Sequence, residues 1–154
     1  MRRLTFGALV VAASLALPTA VLAHVGPPVT FTDTVKQTDI VPSVNDCTGD
    51  PGTLTVTYNG VFHVTQFADG HYHLTGTQTG TVEFDTADPT KPDYSGRVTV
   101  WFGENGNVNG FNGTFTLNGR ATGTDGSTLQ IHQTSHITIV GSDVVVQFDK
   151  LSCG

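Results

Sequence analysis

Cations are scarce in this chain. It holds 7 Lys and Arg against 13 Asp and Glu. Arg2 and Arg3 sit at the very start, and the others, Lys36, Lys91, Arg97, Arg120 and Lys150, are scattered. Gripping nucleic acid or an anionic membrane takes clustered Lys and Arg that displace counterions from phosphate. The composition therefore points to no nucleic acid among the partners. Cysteine is as sparse, with only Cys47 and Cys153. A structural zinc site wants four ligands at short spacings, which two distant cysteines do not supply.

Long apolar runs are also missing, except at the start. Leu4 to Leu17 is apolar apart from small residues and Thr5, follows the basic Arg2-Arg3 and ends at Pro18. It is shorter than the roughly 20 residues that span a bilayer. Val21-Leu22-Ala23 then offers small residues for a signal peptidase. This pattern predicts a signal peptide over 1–23 and a single secreted domain over 24–154, with no membrane span. In an exported chain two cysteines predict one disulfide, Cys47 to Cys153. It would close a loop of about 100 residues, worth up to ~4–5 kcal/mol in the chain-entropy account.

A sustained 3.6-residue period is absent as well, because glycines interrupt it. What is present is alternation of apolar residues with Thr, Asn, Gln and His. One face carries Leu54, Val56, Tyr58, Gly60, Phe62, Val64 and Gln66, and the next carries Tyr72, Leu74, Gly76, Gln78, Gly80, Val82 and Phe84. Similar faces follow through Val98–Phe102, Phe111–Gly123, Leu129–Ile139 and Val144–Phe148, with a first strand around Val29–Val35. Turn signals at 68–70, 125–127 and 141–142 pair Val64 with Leu74, Gly123 with Leu129, and Ile139 with Val144 followed by Ile137 with Val146. Segments 85–93 and 103–110 read as longer connections. The prediction is an all-β, antiparallel up-and-down barrel of seven to eight strands, with a two-sheet β-sandwich as the alternative.

The inner face is lined by Phe62, Phe84, Phe102, Phe111, Phe115 and Phe148, with polar groups among them. Tyr58, Gln66, Tyr72, Gln78 and Gln133, with Trp101 beside Glu104 at a loop mouth, are the candidate ligand contacts. They suit a small, mostly apolar molecule held at a few polar points, or an internal hydrogen-bond network. His63 and His73 fall diagonally across one hairpin and form a candidate metal pair, although a solvent-facing polar strand pair also explains them. His132 and His136, four apart on a strand, are ~13 Å apart and do not chelate together. His24, as a mature N-terminus, could bind copper through its amine and imidazole, as in copper monooxygenases and some periplasmic carriers. Asp85, Asp88 and Asp93 could hold calcium or simply build turns. The outward threonines suit a solvent-facing strand more simply than an ice-binding array.

Asn45-Asp46-Cys47-Thr48-Gly49-Asp50-Pro51, Tyr58-Asn59-Gly60-Val61-Phe62-His63 and Trp101-Phe102-Gly103-Glu104-Asn105-Gly106 resemble a group of small secreted bacterial proteins. The likeness runs on through Asp125–Leu129 to Cys153-Gly154. That group has no assigned activity, so the resemblance implies no catalytic residue. The barrel reading is similar in architecture to lipocalins and to allene oxide cyclase and dirigent barrels, but the lipocalin Gly-x-Trp signature is absent. The functional expectation is a non-enzymatic binder of a small or apolar ligand, without cofactor. A barrel cyclase or isomerase, a copper protein using His24, and an inert surface or adhesion module are the alternatives.

Overall fold

The computed structural model describes residues 26–154, so the expected signal peptide and His24 lie outside the described residues. Strands run over β1 Val29–Val44, β2 Pro51–Gln66, β3 Tyr72–Thr86, β4 Tyr94–Asn107, β5 Gly110–Gly123, β6 Thr128–Val140 and β7 Asp143–Cys153. They form one antiparallel sheet in chain order, β1 to β7. The alternating pattern puts β-branched and aromatic residues where a pleated surface accommodates them. One continuous sheet replaces the two-sheet alternative. The meander is as expected, but its edge strands β1 and β7 carry no ladder to each other.

Two segments are strand where the sequence suggested otherwise. β1 continues past Val35 to Val44, because its full length pairs with β2; Pro42 is tolerated on that edge strand. The segment from Gly103 to Asn107 belongs to β4, and only Val108 and Asn109 turn the chain before Gly110. Gly- and Asn-rich composition signals a loop, but here each residue has a partner on β5.

The tight turns set the register. The first hairpin pairs Val64 with Leu74 and Gln66 with Tyr72, as its loop length predicts. The loop before β6 instead pairs Ala121 with Leu129, a slip of two residues from the expected Gly123–Leu129 pair. A shift of two keeps every side chain on its expected face. The last hairpin pairs Ile139 with Val144 but then Thr138 with Val146 and Ile137 with Gln147, through a bulge. That one extra residue reverses the rest of β7. Val146 and Phe148 therefore leave the inner face, and Gln147, Asp149 and Leu151 replace them.

On the inner face, Leu54, Phe84, Tyr94 and Ala121 form one buried cluster and Val100, Phe115 and Leu117 another. Nearer the β2–β3 turn, the rings of Phe62 and Phe102 pack with centroids 5.1 Å apart. Inward glycines permit the sheet to curl around this core. A Cβ on Gly80 would meet the Thr57 carbonyl oxygen and lie 2.8 Å from Tyr58 Cα. The chain leaving β1 then meets the end of β7: Cys47 and Cys153 form a disulfide with Cα atoms 5.7 Å apart. Asn45 prepares that junction, its buried Oδ1 accepting from the backbone N–H of Cys47 at 3.0 Å and of Thr48 at 3.3 Å.

Candidate functional site

Cross-strand pairing sorts the inner face into rows. One row runs Val35, Gly60, Gln78, Val100, Leu117, Gln133 and Leu151 across all seven strands. Around it lies a cavity of about 100 Å³. Leu54, Val82, Val98, Leu117, Ile131 and Leu151 supply much of its apolar wall. Residues from β2 to β7 line it, so the curl of the sheet, rather than any one hairpin, creates the space.

Three of the sequence-predicted contacts, Tyr58, Gln78 and Gln133, line this cavity. All three are buried, and buried polar groups require partners. Gln133 Nε2 donates to Asp149 Oδ1 at 2.9 Å, and Ser135 Oγ donates to the same oxygen at 2.7 Å. Asp149 reaches this position only because the bulge turned β7 over. No local alternation announced that shift, so the sequence placed Phe148 here instead. The phenol of Tyr58 is pushed above its ordinary value by burial and then by the nearby carboxylate of Asp39. It therefore stays neutral, with its hydrogen bond directed to Asp39.

The other three candidates stand elsewhere. Gln66 and Tyr72 are paired with each other near the β2–β3 turn and do not contribute to the cavity wall. Tyr72 donates a very short hydrogen bond to Glu104 Oε1. Burial first, and that contact second, drive its phenol well above the ordinary range. Trp101 pairs with Thr77 and Thr116 on the outer face and is 44% exposed. It points away from Glu104, because residues three positions apart on a strand take opposite faces.

The strand histidines His63, His73, His132 and His136 lie on the outer face, each engaged by a neighbouring strand. His63 Nδ1 meets Thr32 Oγ1 at 2.9 Å, and His73 Nδ1 meets Asn105 Oδ1 at 2.5 Å. His63 pairs with Thr75, and Thr65 with His73, which is the diagonal arrangement expected. Among the described residues no group of three or more His, Cys, Asp or Glu is placed to hold a metal ion. The loop carboxylates build turns: Asp88 Oδ1 accepts from Thr90 N–H and hydroxyl at 2.9 and 2.7 Å, and Asp93 Oδ1 from Thr86 N–H at 2.8 Å.

No protein-family model, curated protein or solved structure matches this chain. The cavity and its chemistry therefore carry the functional reading.

Proposed function

We propose that this chain is an exported, non-enzymatic binding protein that holds a small apolar molecule in the curl of its sheet. The observation that carries the reading is the inner cavity, walled by aliphatic and aromatic side chains and touched by Tyr58, Gln78 and Gln133. Its volume of about 100 Å³ is of the order of an engineered apolar cavity of ~150 Å³ that takes up benzene. The matching ligand is thus one small ring or short chain with one or two polar atoms. Tyr58, Gln78 and Gln133 would border its polar end, with Tyr58 steadied by Asp39 and Gln133 by Asp149. The sheet is read as a barrel left open along one seam, between β1 and β7, through which the ligand enters. Residues 1–23 are read as the export signal, a reading that fits a disulfide in an oxidising compartment.

Titration with a small apolar fluorescent probe tests this. The wild-type protein should bind one equivalent, and Val98→Phe, which fills the cavity, should weaken binding by on the order of 10-fold, about 1.4 kcal/mol. A folded Val98→Phe protein that binds the probe as tightly as wild type would overturn the reading. Native mass spectrometry of protein from its own culture medium would give both the processed N-terminus and the mass of any retained ligand.

A further inference from the structure

Arg97 and Arg120 face each other directly across β4 and β5 on the outer surface. Like charges at opposed positions destabilise a strand pair, and a chain this poor in cations had few to spend. Both side chains are exposed. Among the described residues neither takes part in an ion pair. Glu83, on the same face of β3, pairs with Ser95 and so lies diagonal to Arg97, but among the described residues it forms no ion pair with it. Two arginines at opposed positions, neither in an ion pair among the described residues, form half of an anion site.

The surroundings supply the other half. The two arginines border a groove of about 460 Å³ that also takes in Thr99, Asn118, Gln130 and His132. His132 Nδ1 lies 2.6 Å from Asn118 Oδ1. A carbonyl oxygen only accepts, so this nitrogen carries the proton and the Asn118 amide NH₂ remains as a donor toward the groove. The far wall is the end of β7, fixed by reciprocal backbone bonds between Gln130 and Gly154 at 2.6 and 3.0 Å. No Asp or Glu side chain lines the groove, and the α-carboxyl of Gly154 is the acidic group on its wall. Guanidinium forks match the oxygens of phosphate and sulfate, and such bonds are charge-assisted.

We propose that this groove binds a tetrahedral oxyanion, a phosphate or sulfate group, between Arg97 and Arg120, with Asn118 and Thr99 as neutral hydrogen-bonding partners. The groove is far larger than one such ion, and its rim is rich in hydroxyl and amide groups. It therefore accommodates the ion as the ester of a small hydroxylated molecule. Arg97, Thr99 and Asn118 border this groove and not the apolar cavity, whereas Gly119, Arg120 and Ile131 border both.

Thermal melts followed by circular dichroism, with no reporter dye to enter the inner cavity, make the test. Inorganic phosphate, inorganic sulfate, glucose 6-phosphate and glucose 6-sulfate are compared with glucose and with chloride at matched ionic strength. The oxyanions should raise Tm by about 2–4 °C at near-saturating concentration, and titration calorimetry should show one site. A larger effect of the esters would identify the ester as the source of the anion. Equal effects would identify the free ion. Arg97→Gln and Arg120→Gln should each weaken binding at least ~10-fold, while Lys150→Gln leaves it unchanged. In chloride alone, neither arginine variant should melt below wild type, because each relieves a repulsion. Stabilisation that chloride or glucose reproduces, or that survives in both arginine variants, would overturn the proposal.

Discussion

Gly80 and Gly103 both sit inside strands, yet their missing side chains have opposite meanings. A Cβ on Gly80 would strike the backbone of β2, whereas one on Gly103 would find its nearest atoms at 3.9 and 4.0 Å. Gly80 is therefore a point where the curled sheet folds too closely for any side chain, and Gly103 is a half-buried position where a Cβ would sit at ordinary contact distance. Gly80→Ala should cost about 1–3 kcal/mol through overpacking, whereas Gly103→Val should be neutral or stabilise by up to ~1 kcal/mol. Urea midpoints at a constant slope would separate the two. Tyr72 makes a second prediction at this scale. Its folded phenol is held above the ordinary value of 10.0, so folding favours the protonated form. The stability it contributes is complete below pH 10.0 and is lost as pH rises from there towards the folded value. Tyr72→Phe should flatten the alkaline loss of stability, measured as urea midpoints on either side of that pH.

At the scale of the element, two hairpin turns prove to be the same object. In each, an aspartate precedes a glycine of positive φ, +83° at Gly70 and +84° at Gly126. Asp69 Oδ1 accepts from His71 N–H at 3.1 Å, and Asp125 Oδ1 from Ser127 N–H at 2.9 Å. These bonds lower both carboxyls, chiefly through the His71 backbone for Asp69 and the Ser127 side chain for Asp125. A lowered folded value means stability that is present above 3.8 and lost as pH falls through and below it. Asp69→Ala and Asp125→Ala should each lower Tm at neutral pH and shrink the difference between neutral and acid melts. The Asp-Gly pair was legible in the sequence at both turns. Anchoring the second loop on Ser127 rather than Thr124 moved the expected register by two residues and left the faces intact. The bulge in β7 was not legible: Val144-Val145-Val146 is equally apolar in either phase, so nothing local says which valine is the extra one. That ambiguity misplaced Phe148 and concealed Asp149.

At the scale of the molecule, the inner cavity was half legible. Alternation placed Tyr58, Gln78 and Gln133 on one face, but only the curl of the sheet shows that they share a wall while Gln66 and Tyr72 do not. The groove at Arg97 and Arg120 was not foreseen. Each arginine is unremarkable alone, and only the pairing of β4 with β5 sets them opposite each other. The Cys47–Cys153 bond was legible as chemistry, and its consequence depends on the open seam. Since β1 and β7 share no ladder, the bridge is the covalent tie that holds β7, whose residues are all exposed, against the start of the sheet. The bridge spans 106 residues of sequence, so its removal restores large freedom to the unfolded chain, worth ~2–5 kcal/mol. It should also loosen the folded state locally, because Leu151 lines the cavity and Cys153 lines the groove. The double variant Cys47→Ala, Cys153→Ala should therefore lose stability in urea. Where it stays folded, it should bind both the apolar probe and the oxyanion more weakly than wild type. Hydrogen exchange should show the added opening concentrated in β7, with β3 and β4 little changed. Uniformly faster exchange across the sheet would mean instead that the bridge acts only on the unfolded chain and that β7 holds its place without it.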